Sequence, residues 1–409
     1  MNSTRPTIIC IATFFKGNEF IRECKRQEAA VVLLTREKLA TADWAYESID
    51  DLIAIPGKVT DQSYAAAAVR VMRQHKVERI VALEEYDVVT AAQLREFSST
   101  PGLGTTTARR FQDKLVMRMR ARETGVRQPE FVPILNHETV ADFMRRIPPP
   151  WMLKPRLGAS AMGIKRLRTP DEVWHTLSEL DSRNKFEETA AFHLLEQYIQ
   201  GDVYHVDSLL SEGKILFASA ERYPTTPFDL SQFGGISISH SVRRGSREEE
   251  QLLRFNRQLL ELFGIDRGVT HAEFLSAGDA EHDLYFLEVA ARVGGAYTAE
   301  TIEAASGVNL WREWARIELS TPEQPYRLPA VRREYGGIAL SLSRQEYPDT
   351  SAYTDPEIVY RIDKPWHVGL VVTSPHYERV VELLEQYRRR FTEDFAAVAP
   401  PEERPGQYL

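Results

Sequence analysis

The chain has 409 residues, 43% hydrophobic and 27% charged, and its 51 Lys and Arg against 59 Asp and Glu give a formal net charge of −8. That length exceeds what one hydrophobic core serves, so two or three domains are expected, and a mildly acidic chain argues against a nucleic-acid partner, which calls for a basic face. The two cysteines, Cys10 and Cys24, have neither metal-ligand nor redox spacing, and no stretch is long enough to span a bilayer, so the expectation is a reduced, cytoplasmic setting with no membrane partner.

The first hundred residues alternate strand and helix patterns. Thr7–Thr13 is a continuous apolar run of the kind buried parallel strands show; the apolar stretch Ile8–Phe15 is too short for a secretory signal and lacks a cleavage site. A helix over Phe20–Gln27, a strand over Ala30–Thr35, a helix over Tyr64–Gln74 and a strand over Arg79–Leu83 follow. This alternation predicts a small parallel sheet flanked by helices. The first turn has no G-x-G-x-x-G, so a dinucleotide fingerprint is absent.

From Asp113 the texture changes. Helices are expected over Asp113–Thr124 and Glu138–Arg146, then a strand Trp151–Lys154, a Gly-containing turn and a return strand Gly163–Leu167. Thr169 and Pro170 open a helix that runs to Leu180. Phe192–Ile199, Val203–Leu210 and Lys214–Ala220 read as a three-strand meander. Arg222–His240 reads as a long loop expected to shape an acceptor pocket. Ser246 and Glu249 suit a capping box on a helix ending near Gly264. Its Leu252, Leu253, Phe255, Leu259, Leu260 and Phe263 make one apolar face. Strands Val269–Leu275 and Asp283–Ala290, a Pro-containing crossover Pro322–Arg333, strands Gly337–Ser343 and Val368–Thr373, and a helix from Tyr377 complete the chain.

The residues with chemistry concentrate in Glu288-Val-Ala-Ala-Arg292-Val-Gly294-Gly295. In a strand, residues two apart share a face, so Glu288, Ala290 and Arg292 point together. A carboxylate and a guanidinium there suit a magnesium ion and a phosphoryl group; a surface ion pair is the bland alternative. Gly294 and Gly295 precede a helix whose free N–H groups could hold an anion. Upstream, His271 and Glu273 share a face of the neighbouring strand, and hairpin pairing would set Glu273 beside Glu288 as a metal pair.

These residues resemble the ATP-grasp ligases, whose metal strand pair carries Glu-x-Asn-x-Arg-x-Gly-Gly after an acidic residue in the preceding strand. Glu273, Glu288, Arg292, Gly294 and Gly295 match, while Ala290 departs from the usual Asn, which helps hold the second magnesium or a phosphate oxygen. The resemblance continues in order. Lys114 and Lys154 are similar to the two phosphate-binding lysines, and Gly158-Ala-Ser160-Ala-Met-Gly163 to the flap over the triphosphate. Glu196-Gln-Tyr198-Ile199 is similar to the adenine hinge. The ribose-contacting Glu of the family is Val203 here, leaving Asp202 or His205 to substitute. Phe286 is a candidate apolar floor for the base, a core aromatic being the alternative. Glu84 and Glu85, at the end of the strand that opens at Arg79, are candidates to approach substrate, solvent exposure being the alternative. The resemblance runs from the first strand to about Phe391.

It implies an N-terminal parallel α/β domain (1–112) followed by a two-lobed ATP-grasp fold of mixed and antiparallel sheets: a small lobe with the phosphate flap (113–190) and a large lobe with the metal site (191–409). The expected activity is ATP- and magnesium-dependent ligation, with Mn2+ able to substitute. A carboxylate is activated as an acyl phosphate and an amine then displaces phosphate, Lys154 and Arg292 serving the transfer and Arg292, Gly294 and Gly295 lying toward substrate. Small-molecule carboxylate and amine substrates are the expected partners, and a homodimer is compatible. The alternatives are a bicarbonate-activating carboxylase relative and a non-catalytic ATP-binding regulator, which Ala290 and Val203 keep open.

Overall fold

Six consecutive buried residues form strand β1 (Thr7–Ala12) in the computed structural model, which describes residues 5–57, 59–159, 161–278 and 283–397. The chain continues through helix α1 (Asn18–Arg26), β2 (Ala30–Arg36), β3 (Asp51–Ile55), α2 (Asp61–Met72), β4 (Val77–Ala82) and α3 (Val88–Ser98). The four strands form a parallel sheet in the order β3-β2-β1-β4. The order reverses at β1, so the loops after β1 and β4 flank a crevice at the carboxyl ends of the strands, where open α/β sheets bind ligands. Asp87 closes that junction by accepting the Thr13 amide at 2.7 Å, and burial pushes its carboxyl up to about 7. Strand β3 and helix α3 are additions to the expected elements.

Helices α4 (Thr105–Ala108) and α5 (Lys114–Thr124) lead into a second, antiparallel sheet. It contains β5 (Phe131–Pro133), β6 (Trp151–Pro155), β7 (Lys165–Leu167) and β8 (His193–Gln197), with α6 (His137–Arg146) and α7 (Pro170–Asp181) against it. Thr169 caps α7 as expected, accepting the Glu172 amide. The meander expected from Phe192 onward is not formed. β8 lies between β5 and β6, and the next strand joins a different sheet. The residue pattern marks each as a strand but does not reveal its neighbours. β8 also lies past residue 190, so the small lobe extends beyond the expected boundary.

The third sheet holds eight antiparallel strands. In chain order the elements are β9 (Asp202–Ser211), β10 (Lys214–Tyr223), α8 (Pro227–Phe233), β11 (Ser237–Ser241), α9 (Arg247–Phe263), β12 (Gly268–Ser276), β13 (Leu284–Ala290), α10 (Thr298–Ser306), α11 (Leu310–Leu319), β14 (Tyr335–Leu342), β15 (Ile358–Arg361), β16 (His367–Ser374) and α12 (Tyr377–Asp394). The strands lie in the order β13-β12-β9-β10-β11-β14-β16-β15. The expected loop 222–240 therefore contains a helix and a strand. Ser246 caps α9, but Glu249 returns to the Gly245 amide rather than to that of Ser246. Leu252, Leu259, Leu260 and Phe263 of α9 are buried against the sheet. The first sheet packs on this lobe through α1 and α11, where Phe20 meets Trp314 edge-on at 4.9 Å. No helix among the described residues is long and apolar enough to cross a membrane.

The passage from the second sheet to the third runs through Gly201. A Cβ there would stand 1.9 Å from the Ser276 carbonyl oxygen, a backbone atom that cannot rotate away. Gly201→Ala should therefore destabilise the fold by about 1–3 kcal/mol, the usual cost of overpacking, seen as a lower thermal midpoint in calorimetry.

Candidate active site

Lys114 begins α5, and its position follows from Asp113. That carboxylate caps the helix through the Leu115 amide at 3.0 Å and pairs with Arg156 through two hydrogen bonds, at 3.0 and 2.5 Å. The Lys114 amine, thus fixed, donates to the Gly158 carbonyl at 2.6 Å and pairs with Glu288 at 3.1 Å. Burial disfavours its charge, but Glu288 and Glu85 outweigh that and raise its pKa.

Lys154, on β6, pairs with Glu196 of β8 at 2.7 Å. A second cation holds the same carboxylate: Arg118, one turn after Lys114, donates from Nε at 2.6 Å and from its NH2 group at 3.3 Å. Its remaining nitrogen reaches the Phe286 carbonyl on β13 at 3.3 Å. Burial alone would raise the Glu196 carboxyl, but Arg118 and Lys154 hold it down at about 2. Glu196 is thus occupied by protein cations. Arg118 was not among the expected site residues; its four-residue spacing from Lys114 was the available signal.

Glu273 and Glu288 face each other across β12 and β13. The ladder shifts register beside them, with Phe274 opposite Phe286 and Leu287 left over. Such a bulge reverses which residues face outward. Leu284, Phe286 and Val289 all enter the core, whereas Leu287 and Glu288 both line the main cavity. Phe286 is consequently no floor for a base; it packs on Phe263 at 5.4 Å. Leu275 and Leu287 line the main cavity instead.

The cavity, of about 400 Å³, lies between the second and third sheets. Lys154, Tyr198, Asp202, Tyr223, Glu273 and Glu288 are in its wall, with Ile199 beside Tyr198. His205 is not. It is buried, with Nδ1 on Asp207 at 2.6 Å and Nε2 on Ser239 at 2.9 Å, so the polar group at the strand entrance is Asp202. The start of the 222–240 segment, Tyr223–Asp229, also lines this cavity, so it shapes the hinge-side space rather than a separate acceptor pocket. Gly158 and Gly163 take positive φ, 138° and 68°, as the flap turns require. Ser160 lies outside the described residues.

Arg292 is not in that wall. It turns toward the first sheet and donates to Glu85 from Nε at 3.1 Å and from its NH2 group at 2.8 Å. Burial raises the Glu85 carboxyl, partly offset by Arg292 and Lys114. The next residue, Tyr86, accepts the Ala159 amide of the flap at 3.2 Å. Glu84 pairs with Lys16 at 2.9 Å. Gly294 lies against His271, Thr298 and Asp207, where a Cβ would stand within 3.0 Å of all three. Nothing within 4 Å would obstruct a Cβ at Gly295.

A polar stripe crosses the same face of the large sheet. Asp207 binds His205 and also His271 Nδ1, at 2.9 Å. His271 Nε2 lies 3.5 Å from Glu273. Burial would lower the His271 pKa, but Asp207 and Glu273 push it up to about 9. Next in the stripe, Glu221 accepts from Ser219 at 2.8 Å, while its other oxygen is buried without a partner. Burial pushes that carboxyl up to about 8. Asp207 and Glu221 escaped the sequence reading, although polar residues two apart in otherwise apolar strands were a visible sign.

Residues 147–300, which contain Lys154, Glu196, Glu273, Glu288 and Arg292, match the ATP-grasp domain family. The chain is 23% identical over 275 residues to an L-arginine-specific L-amino acid ligase of Bacillus subtilis. That match covers 67% of this chain and 66% of the relative, so the chain spans just under two thirds of the relative's length. Among solved structures, an L-amino acid ligase from Bacillus licheniformis superposes with a TM-score of 0.74 at 14% identity, covering 97% of this chain and 99% of that one. An N5-carboxyaminoimidazole ribonucleotide synthetase from Thermus thermophilus gives 0.71 at 15% identity, covering 96% and 99%.

The Glu221 carboxyl has a testable pH signature. Its pKa is higher in the fold than the ordinary 4.5, so the folded chain keeps a proton that the unfolded chain releases. Stability should fall as pH rises from about 4.5 to about 8. Glu221→Gln should raise the thermal midpoint over wild type at pH 8 and lose that advantage near pH 5. A difference that is constant with pH would refute the assignment.

Proposed function

We propose that the protein is an ATP-dependent ligase that joins two amino acids by activating the carboxylate of one as an acyl phosphate. The observation that carries the substrate class is the Arg292–Glu85 pair, which joins the large lobe to the first sheet at 2.8 Å. Separating a buried ion pair leaves two uncompensated charges, a cost of several kcal/mol. A ligand entering between them keeps both neutralised only if it carries a carboxylate and an ammonium side by side. An α-amino acid zwitterion has that form, with its carboxylate toward Arg292 and its amine toward Glu85. The amino-acid ligases among its relatives support the same class.

The nucleotide would occupy the main cavity, its base along Tyr198 and Ile199 of the hinge and its ribose toward Asp202. Lys114 and Lys154 would turn from their carboxylates to the phosphates, with Gly158 and Gly163 allowing the flap to approach. Glu273 and Glu288, two carboxylates in cross-strand register, fit a hard divalent cation. Magnesium held there would supply charge neutralisation at the phosphates, and Mn2+ would suit the same oxygens. A carboxylate oxygen of the first amino acid attacks the γ-phosphorus in line and ADP leaves. The amine of the second then attacks the acyl carbon, forming the C–N bond as phosphate leaves and the nitrogen gives up a proton. Arg292 would stabilise the oxygen on which negative charge develops in both steps, while Gly295, with open space at its Cβ position, would leave room for substrate. Flap closure, tied to Tyr86, would keep water from the acyl phosphate. In this reading residues up to about 112 form the substrate-side unit, and the small and large lobes hold the nucleotide.

The deciding assay is Mg2+- and ATP-dependent release of ADP and phosphate across amino acids singly and in pairs, with bicarbonate and no-acid controls. Release that requires amino acids, together with dipeptide in the mass spectrum, is expected. Release with bicarbonate alone would replace this reading with a carboxylase. Glu288→Gln and Lys154→Ala should each lower turnover by about 10²–10³. Glu85→Gln should raise the amino-acid KM at least about tenfold, as loss of a charge-assisted hydrogen bond implies, while moving the ATP KM much less.

A further inference from the structure

The usual Asn two residues after the metal-strand Glu is Ala290 here, so β13 brings no third donor to the ion. The cross-strand partner of Ala290 is His271, which lies on the same face of the sheet as Glu273, two residues along β12. We infer that His271 is a protein ligand of the divalent cation, its Nε2 acting with Glu273 and Glu288 in place of the missing side chain. The inference rests on the reading that those two glutamates hold the ion.

Three features of the geometry support it. His271 Nε2 and the nearer Glu273 oxygen are 3.5 Å apart. Two ligands at right angles on an ion with bonds of about 2.1–2.2 Å stand ~3 Å apart, so a small adjustment brings both onto one cation. The other ring nitrogen, Nδ1, is held by Asp207 at 2.9 Å. A carboxylate behind a ligating imidazole fixes the tautomer and turns Nε2 toward the metal. Asp207 is itself held by His205, which rests on Ser239. Gly294 closes over the ring, where a Cβ would stand 2.8 Å from Nδ1.

His205, Asp207 and His271 also bring three ligand-type atoms together, but that trio is not the ion site. His205 and Asp207 are 2.6 Å apart, a shared-proton distance shorter than the spacing of two ligands on one ion. The trio is the support behind the ligand. A nitrogen donor shifts preference from Mg2+ toward Mn2+ relative to an all-oxygen site.

The test uses Mn2+ with ADP on the full chain. Electron spin-echo modulation of bound Mn2+ should show a directly coordinated nitrogen whose signature changes when histidine alone is labelled with 15N. His271→Ala should abolish that signal and weaken Mn2+ binding at least about tenfold, while melting stays cooperative. Adding Ala290→Asn to His271→Ala should recover affinity without the nitrogen signal. Mn2+ that binds, and is lost in Glu288→Gln, yet shows no histidine nitrogen in wild type would overturn the inference and leave the carboxylate site standing. Mn2+ binding indifferent to Glu288→Gln would overturn both.

Discussion

Glu196 is the fixed point of the site. Its carboxylate is almost fully buried and is held by Arg118 from one side and Lys154 from the other. Charges so deeply desolvated are tolerable only when paired and hydrogen-bonded, and removing one partner is far costlier than building the pair. Because Arg118 also reaches the Phe286 carbonyl, this one cluster sets four elements relative to one another: α5, β6, β8 and β13. Those elements carry Lys114, Lys154, the hinge and Glu288. In the proposed reading a nucleotide would meet these groups on elements already fixed relative to one another, with only the lysine side chains left to turn toward phosphate.

The electrostatics of the site bear on the proposed divalent cation. Lys114, Lys154, Arg118 and Arg292 face Glu85, Glu196, Glu273 and Glu288, so the formal charges of these buried or half-buried groups balance. A triphosphate brings several negative charges into that neutral setting. In the proposed reading the lysines would meet part of the excess by leaving their carboxylates; Glu196 would keep Arg118, but Glu288 would then need a cation. Glu288, left by Lys114, stands opposite Glu273, so the movement that frees a lysine for phosphate also completes a pair of oxygen donors. Lysine release and metal capture would then be two sides of one exchange.

Much of this was legible in the sequence, and the gaps have definite physical causes. The order of Lys114, Lys154, the flap, the hinge and the Glu273–Glu288 pair could be read because each depends on local residue types at local spacing. The family match and the superpositions bear out the ATP-grasp assignment and the fold class. Strand β8 was joined to β9 because the residue pattern does not encode sheet partners. For Phe286 the sequence left a cavity floor and a core position open, because a one-residue bulge that reverses side-chain parity leaves no mark in Leu284–Ala290. His205 looked available because it follows Asp202 closely in sequence, but its ring lies 4.6 Å from that of Tyr223 and both its nitrogens are taken by Asp207 and Ser239. Arg118 was overlooked for a different reason: one arginine in a helix containing several says nothing until burial singles it out.

The polar stripe formed by Glu221, His205, Asp207 and His271 completes the picture. A sheet face built only for packing would fill these positions with apolar and aromatic side chains, as the opposite face does with Tyr204, Val206, Ala272 and Phe274. Each polar member sacrifices hydrophobic burial and needs a partner, and at Glu221 one oxygen has none. Residues that depart from local packing rules without a compensating contact are expected where function overrides stability. The stripe runs from the glutamate pair beneath Tyr223 and beside the Gly294 turn, between the nucleotide cavity and Arg292. Its rigidity fixes Glu273 from behind, as Arg118 fixes Glu288 through its strand. The two carboxylates opposite each other are thus anchored by separate networks that meet only at the position an ion would take.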